Sequence, residues 1–291
     1  MRMGALVLGA VVAFTMGCAG TDDGSDSSNV KSSRDPLALP QSIIDFQNAR
    51  GWGDHHLEWH TERQWDRLNP SDRDWAKKHG WKRAGLQEGQ KGNGLEFLAM
   101  HRAMLRMLTD EFPKNRKYFT GWTTPPTNPR DKTSPLPHGQ DTEFDANMAE
   151  AIEKLANHID DFKTDDELGL FIETKARPTM SDPRHRSDDP SAGIHNYLHN
   201  RFMDPDSSID IGDPHVNLQN KMFWRLHGWI DARWTAFREA KGLTEDQADY
   251  ASAIEAATAE LEMKMSGGAT KGVPDAPPDS LTKFFEGDDS L

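Results

Sequence analysis

The sequences GIHNYLH (residues 193–199) and FWRLHGWID (residues 223–231) determine the fold that this chain is expected to adopt. Because residues four apart lie on one face of an α-helix, His195 and His199 point two imidazoles at the same place. His227 lies in the second, strongly helical stretch and can supply a third. Three neutral imidazoles with few carboxylates nearby suit copper, zinc, iron or nickel, and fit calcium or magnesium poorly. The two stretches therefore predict a transition-metal site between helices.

The N-terminal half contains a second set of histidines with the same arrangement. The stretch DHHLEWH (54–60) places His56 and His60 four residues apart, and LEFLAMHRAML (95–105) carries His101 within a helix. His55 is an alternative to His56 as the first member of this set. A pair one helical turn apart, followed by a single histidine from a later helix, thus occurs twice. One such arrangement arises easily by chance, whereas two in one helical domain indicate a function.

Hydrophobic periodicity favours helices, and no stretch shows the alternation of a β-strand. The pattern predicts a mainly α fold with long connecting loops at 113–142 and 164–190. Helices are predicted over residues 40–62, 95–112, 144–162, 192–203, 218–241 and 244–265. Gly51 and Gly53 weaken the middle of the first. The tryptophans and methionines of the histidine-bearing stretches are interpreted as core residues at helical spacing.

The two ends of the chain have compositions unlike that of a folded core. Residues 1–17 contain an apolar run that is typical of a signal peptide and too short for a permanent membrane anchor. Cys18, the single cysteine, stands where a bacterial lipoprotein is cleaved and acylated, although Thr15 departs from that motif. Export to the cell envelope through a lipid anchor at Cys18, or simple secretion, is expected. Residues 18–36 are predicted to be a flexible tether, 37–266 a helical domain, and 267–291 a flexible polar tail.

The overall charge limits the partners of the protein. The formal net charge is −13, which disfavours nucleic acid and anionic membrane surfaces as partners. The acidic surplus is interpreted as a solvated surface. With one cysteine, no disulfide framework is possible within the chain.

The histidine motifs resemble those of the type 3 copper proteins, which comprise haemocyanins, phenoloxidases, tyrosinases and catechol oxidases. HHLEWH (55–60) is similar to the first copper motif of arthropod haemocyanins and prophenoloxidases. EFLAMHR (96–102) resembles the helix that carries the third ligand, and its His-Arg pair is closer to tyrosinases. The stretches at 195–199 and 223–231 resemble the second copper site, with Asp231 and Trp234 where the family has an Asp and an aromatic residue.

This resemblance implies an antiparallel four-helix bundle that encloses two copper ions, each held by three imidazoles. The implied ligands are His56, His60 and His101 for the first ion and His195, His199 and His227 for the second. The implied activity is oxidation of phenols or o-diphenols to o-quinones with dioxygen as co-substrate. One alternative is a dioxygen-binding or copper-handling protein without turnover. Another is a zinc or iron protein in which one set of histidines no longer binds metal.

Asn196 is the residue that the resemblance implies for catalysis besides the ligands. An Asn directly after a ligand histidine acts, in tyrosinases, with a Glu to position a water that deprotonates phenols. The matching upstream position here holds Arg186, with Asp188 and Asp189 nearby. Haemocyanins also carry an Asn at this position, so it does not distinguish phenol hydroxylation from catechol oxidation.

The sequence departs from the family pattern in two further places. No cysteine is available for the thioether crosslink to histidine that some members have. Gly92-Asn93-Gly94 occupies the region in which tyrosinases have a second ligand of the first site.

Two supporting features are also predicted. The imidazole N–H groups need hydrogen-bond acceptors, and the candidate acceptors are Asp54, Glu58, Glu96 and Asp231. Asp231 is interpreted preferentially as a partner of an arginine such as Arg102 or Arg225. Phe284 and Phe285 in the polar tail are candidates for residues that plug the entrance to the site.

Overall fold

The computed structural model describes residues 35–127, 145–175, 187–204, 207–266 and 276–286. Within these ranges the regular structure is helical and no strand is assigned, which confirms the predicted mainly α fold. No helix there is long and apolar enough to cross a membrane. The α-helices are α1 (Gln41–Ala49), α2 (Trp52–Arg63), α3 (Pro70–Lys78), α4 (Asn93–Glu111), α5 (Ala146–Asn157), α6 (Asp165–Glu173), α7 (Ile194–Arg201), α8 (Lys221–Ala240), α9 (Ala248–Ser266) and α10 (Asp279–Glu286).

Several predictions concern residues outside the described ranges. These are the signal peptide at 1–17, Cys18 with the tether as far as residue 34, and Arg186. The last residues of the predicted tether are described, and they pack against the domain. The carboxylate of Asp35 accepts hydrogen bonds from the side chains of Ser207 and Ser208.

The predicted helix over residues 40–62 is two helices. Gly51 separates α1 from α2 with a φ of +64°, a left-handed conformation that favours glycine. Gly53, in the first turn of α2, packs directly against main chain, since a Cβ there would lie 2.0 Å from the carbonyl oxygen of His215. The break therefore starts α2 in a new direction, and the bare backbone at Gly53 lets another segment approach this helix closely.

The prediction that residues 164–190 are mostly loop is wrong for Asp165–Glu173, which form α6. α6 packs on α4 through two glycines, because a Cβ on Gly169 would lie 2.1 Å from the carbonyl oxygen of Gly94. The Asp166 carboxylate accepts hydrogen bonds from the main-chain N–H groups of Gly92 and Leu95. It thereby caps the start of α4. α6 thus fixes the helix that carries His101.

The hydrophobic core is rich in aromatic side chains, as the sequence predicts. Trp224, Trp229 and Trp234 on α8 have at most 1% of their surface exposed. The Trp234 ring packs against the Arg102 guanidinium at 3.9 Å, and Arg102 donates to the Asp231 carboxylate. This ion pair links α4 to α8, and Asp231 has the arginine partner that was expected for it.

The tail predicted to be flexible contains a packed helix, which is a departure from the sequence analysis. In α10, Leu281 is completely buried against a small cluster formed by Leu57, Trp65, Leu68, Ala76 and Trp81. Leu281, Phe284 and Phe285 follow helical spacing, so that a short stretch presents one apolar face. Because the surrounding residues are polar, the composition of the tail does not indicate this apolar face.

Candidate metal centre

The six predicted histidines lie together, buried between four helices. His56 and His60 come from α2, His101 from α4, and the others from α7 and α8; each has at most 7% of its surface exposed. His55 is also buried, but it belongs to neither group of histidines that could share a metal ion, and among the described residues its ring nitrogens have no hydrogen-bond partner. Of the two alternatives for the first position, the structure therefore brings His56 to the cluster.

Two sets of three ring nitrogens lie close enough to share a metal ion. Within each set the nitrogens are within 4.8 Å of one another; the sets are His56, His60, His101 and His101, His195, His227. The first is the predicted set, whereas the second contains His101 in the place predicted for His199. His199 is nevertheless adjacent, with its Nε2 at 3.1 Å from Nε2 of His195. The rings of His101 and His227 stack at 4.2 Å, so the two sets adjoin.

Main-chain carbonyls orient four of the six rings. Nδ1 of His56 donates to the Pro214 carbonyl oxygen at 2.9 Å, and Nδ1 of His199 donates to that of Ile211 at 2.6 Å. Nδ1 of His101 and Nδ1 of His227 donate to the carbonyls four residues earlier in their own helices. Because a carbonyl only accepts, these four rings carry their proton on Nδ1 when neutral. Their Nε2 lone pairs therefore face the centre of the cluster.

One loop, residues 207–217, provides an acceptor to each half of the cluster. Its Ile211 carbonyl serves His199 and its Pro214 carbonyl serves His56. The loop is attached to α2 by a hydrogen bond of 2.9 Å between His215 and Asp54, and by the close approach at Gly53. The Asn217 side chain donates to the Ile211 carbonyl from within the loop. This segment consequently sets the orientation of one imidazole from α2 and one from α7.

All six imidazoles are neutral at physiological pH. Burial lowers the pKa of His101 to about 3 and the pKa of His199 to about 4. Burial, followed by the proximity of other imidazoles, lowers the pKa of the remaining four well below its usual value. Neutral imidazole is the form that binds metals.

The arrangement of lone pairs fits a bound cation. The Nε2 atom of His195 lies 3.1 Å from that of His199 and 3.2 Å from that of His227. The single proton of His195 can satisfy only one of them, so at least one Nε2 lone pair receives no hydrogen bond from His195. The Nε2 atom of His101 is buried without a hydrogen-bond partner. A metal ion accepts all of these lone pairs at once, and imidazole ligands alone favour copper, zinc or iron over calcium and magnesium.

The acidic side chains predicted to support the histidines are engaged elsewhere. None of them accepts a hydrogen bond from a cluster imidazole, and each has another partner. The pairs are Asp54 with His215, Glu58 with Lys264, Glu96 with Arg63, and Asp231 with Arg102. The carbonyls of the helices and of the 207–217 loop perform the predicted role instead. Main-chain acceptors have no side-chain signature, although Gly212 and Asp213-Pro214 within DIGDP (210–214) do mark the turn itself.

The cluster opens into a small cavity of about 30 Å³. Its lining includes His56, His60, His195, His199, Asn196, Gln64 and Phe285. The ring of Phe285, on α10, lies 6.2 Å from that of His60. Ordinary ligand pockets measure about 300–1,000 Å³, so this space suits a water or a diatomic molecule and is too small to enclose a phenol. α10 therefore covers the approach to the histidines.

Asn196 lines the cavity, and its amide nitrogen donates to the Glu173 carbonyl oxygen at 2.8 Å. The end of α6 thus holds the amide. Asp189 does not line this cavity; its carboxylate accepts from Ser191 and pairs with Lys154. Gln64, which is buried at the cavity, was not predicted as a site residue.

A comparison of the sequence with models of known protein families, and with curated proteins, finds no match.

Proposed function

We propose that the chain is a type 3 copper protein that oxidises phenols or o-diphenols with dioxygen. In this proposal α2, α4, α7 and α8 are the antiparallel four-helix bundle, and the six histidines hold two copper ions. One observation carries the proposal: buried, neutral imidazoles form two adjoining sets, and within each set one nitrogen of every ring lies close enough to the others to share a metal ion. Two copper ions at such a centre supply redox chemistry with dioxygen, by which two catechols become two quinones and one dioxygen becomes two waters.

In this proposal, main-chain carbonyls and aromatic rings support the ligand imidazoles. Main-chain carbonyls at Pro214, Ile211, Phe97 and Phe223 keep the ligand rings in one tautomer and one orientation. The rings of Trp59, Phe97 and Phe223 pack against the imidazoles and exclude water. Dry surroundings strengthen the electrostatic interactions of a bound ion.

Asn196 has the role of positioning a proton acceptor for the substrate. Its amide nitrogen is held by the Glu173 carbonyl, which leaves the amide oxygen to accept a hydrogen bond from a water or a phenol hydroxyl. Asn196→Ala should therefore reduce phenol hydroxylation more than catechol oxidation, by up to about tenfold, the typical effect of one lost hydrogen bond between neutral groups. The measurement compares the two rates on the copper-loaded protein. Equal loss of both would remove this role from Asn196.

A dioxygen-binding protein without turnover is the second candidate, and the small volume of the cavity favours it. Dioxygen fits about 30 Å³, whereas a phenol requires Phe285 and α10 to move. Catechol-dependent oxygen consumption by the copper-loaded chain distinguishes the two functions. We expect slow turnover that rises severalfold in Phe285→Ala, while Phe284→Ala, which changes the neighbouring ring over Arg67, has a smaller effect. Reversible oxygen binding with no turnover in any of the three proteins would support the carrier and contradict the oxidase.

A further inference from the structure

A second and much larger cavity, of about 530 Å³, lies between α4, residues 116–123 and α8. This volume is within the range of about 300–1,000 Å³ that is ordinary for small-molecule sites. Four arginines line the cavity, namely Arg102, Arg106, Arg116 and Arg233, against two acidic residues, Asp110 and Asp231. A cationic lining is unexpected in a chain of net charge −13. The cavity shares no lining residue with the histidine cavity.

Within the part of the chain that the structure describes, two of the four arginines are paired with carboxylates. Arg102 contacts Asp231 at 2.5 Å and Arg106 contacts Glu245 at 2.7 Å. Both guanidinium groups also donate to the Tyr250 hydroxyl at 3.1 Å, so they lie side by side.

The other two arginines have no such compensation. Among the described residues, neither Arg116 nor Arg233 has a carboxylate partner, and Nε of Arg233 is buried without an acceptor. A guanidinium keeps its charge in proteins, so neither arginine can relieve this by losing a proton. A buried N–H that lacks an acceptor is unfavourable, and a guanidinium fork matches a carboxylate or phosphate group.

We propose that this cavity binds a small organic anion through a carboxylate or phosphate group held by Arg233 and Arg116. Phe119, Trp122 and Leu105 form the apolar part of the lining and cover the rest of the molecule. The wall between them is bare main chain, because a Cβ on Gly121 would lie 2.0 Å from the Trp229 nitrogen. That contact holds residues 119–122 against α8 and keeps the cavity in shape. The proposal is independent of metal at the histidines.

The test is titration of the full-length protein, at constant ionic strength in chloride, with inorganic phosphate, with succinate and with benzoate. Calorimetry measures affinity and stoichiometry. We expect at least one probe to bind saturably at one site per chain, with affinity reduced about tenfold or more in Arg233→Gln and in Arg116→Gln. Preference for phosphate or for a carboxylate identifies the anionic group, and preference for benzoate over succinate confirms a role for the apolar wall.

The matched control is Arg50→Gln, which removes an exposed arginine that lies over Phe46, away from the cavity. It should change the affinity less than twofold. Arg116 is exposed, so its variant remains informative if Arg233→Gln fails to fold. Absence of saturable binding for all three probes would overturn the proposal. Equal weakening by Arg50→Gln and Arg116→Gln would also overturn it, because binding would then depend on overall charge and not on this cavity.

Discussion

The histidine cluster and the arginine cavity share two helices, α4 and α8, yet they require partners of opposite charge. His101 is followed by Arg102 on α4, and His227 is followed by Gly228 on α8. Burial removes the proton from the imidazoles, which then expose lone pairs and favour a cation. Arginine retains its proton, so Arg102 and Arg106 require carboxylates, and Arg116 and Arg233 favour an anion. A buried basic side chain that becomes neutral therefore favours a cation as its partner, whereas one that stays charged favours an anion.

The largest expected effect is the loss of copper binding when one histidine of the cluster is removed. His101 belongs to both closely spaced sets, so His101→Ala removes a ligand from each. We expect copper affinity to fall by more than the roughly 100-fold that loss of a supporting residue costs. The measurement is competition with a chelator of known affinity. His158→Ala, at an exposed histidine, is the control and should match the unmodified protein. Equal copper binding by the two variants would contradict the shared role of His101.

Removal of the carboxylate that pairs with a buried arginine should lower the free energy of unfolding. Asp231→Ala leaves the Arg102 guanidinium, whose side chain is 6% exposed, without its ion-pair partner. Because Arg102 cannot become neutral, the free energy of unfolding should fall by about 3 kcal/mol. Glu245→Ala is the control, since Arg106 and Glu245 are largely exposed and such pairs contribute at most about 1 kcal/mol. Urea unfolding measures both. Similar losses in the two variants would mean that burial of the pair has no energetic importance.

Acidification should destabilise the metal-free protein through its buried histidines, whereas its arginines should contribute nothing to this effect. An unfolded histidine binds its proton near pH 6.5, whereas folded His199 stays neutral until pH falls to about 4. The unfolded state holds more protons between these values, so the protein loses stability as pH falls through this window. The slope is up to about 1.4 kcal/mol per pH unit for each such histidine. Urea unfolding of chelator-treated protein across the window measures it.

Two variants identify the source of that slope. His199→Phe should make the dependence of stability on pH shallower, because one of the groups that take up a proton on unfolding is gone. Arg116→Gln should leave the dependence unchanged, since arginine does not titrate in this window. A slope that is the same in all three proteins would show that other groups cause the acid sensitivity.

Long apolar periodicity and histidine spacing made the main elements predictable. α4 and α8 begin and end close to their predicted bounds, and the six histidines chosen from the sequence lie together. This succeeds because helical spacing fixes which side chains share a face, whatever the helix packs against. The preference for His56 over His55 was open in the sequence and required the packing of α2 to decide it.

The remaining features depend on contacts that sequence patterns do not record. α6 is short and contains Gly169, which weakens a helix, yet that glycine permits the contact with Gly94. The acceptors of the imidazole N–H groups are main-chain carbonyls, to which any residue type can contribute. α10 was not predicted because it packs through only three apolar residues, and the residues around them in the tail are polar. Tertiary contacts, and not local propensity, decide each of these cases.

The most direct test of the proposed dicopper centre is the copper content of the purified chain, recorded together with its absorption spectrum before and after oxygen is admitted to the reduced protein. We expect two copper ions per chain and intense bands that appear only with oxygen, both lost in His101→Ala. One copper ion or none, without an oxygen-dependent band, would contradict a coupled pair of metal ions. A stable zinc or iron complex in its place would assign the histidines to a different chemistry.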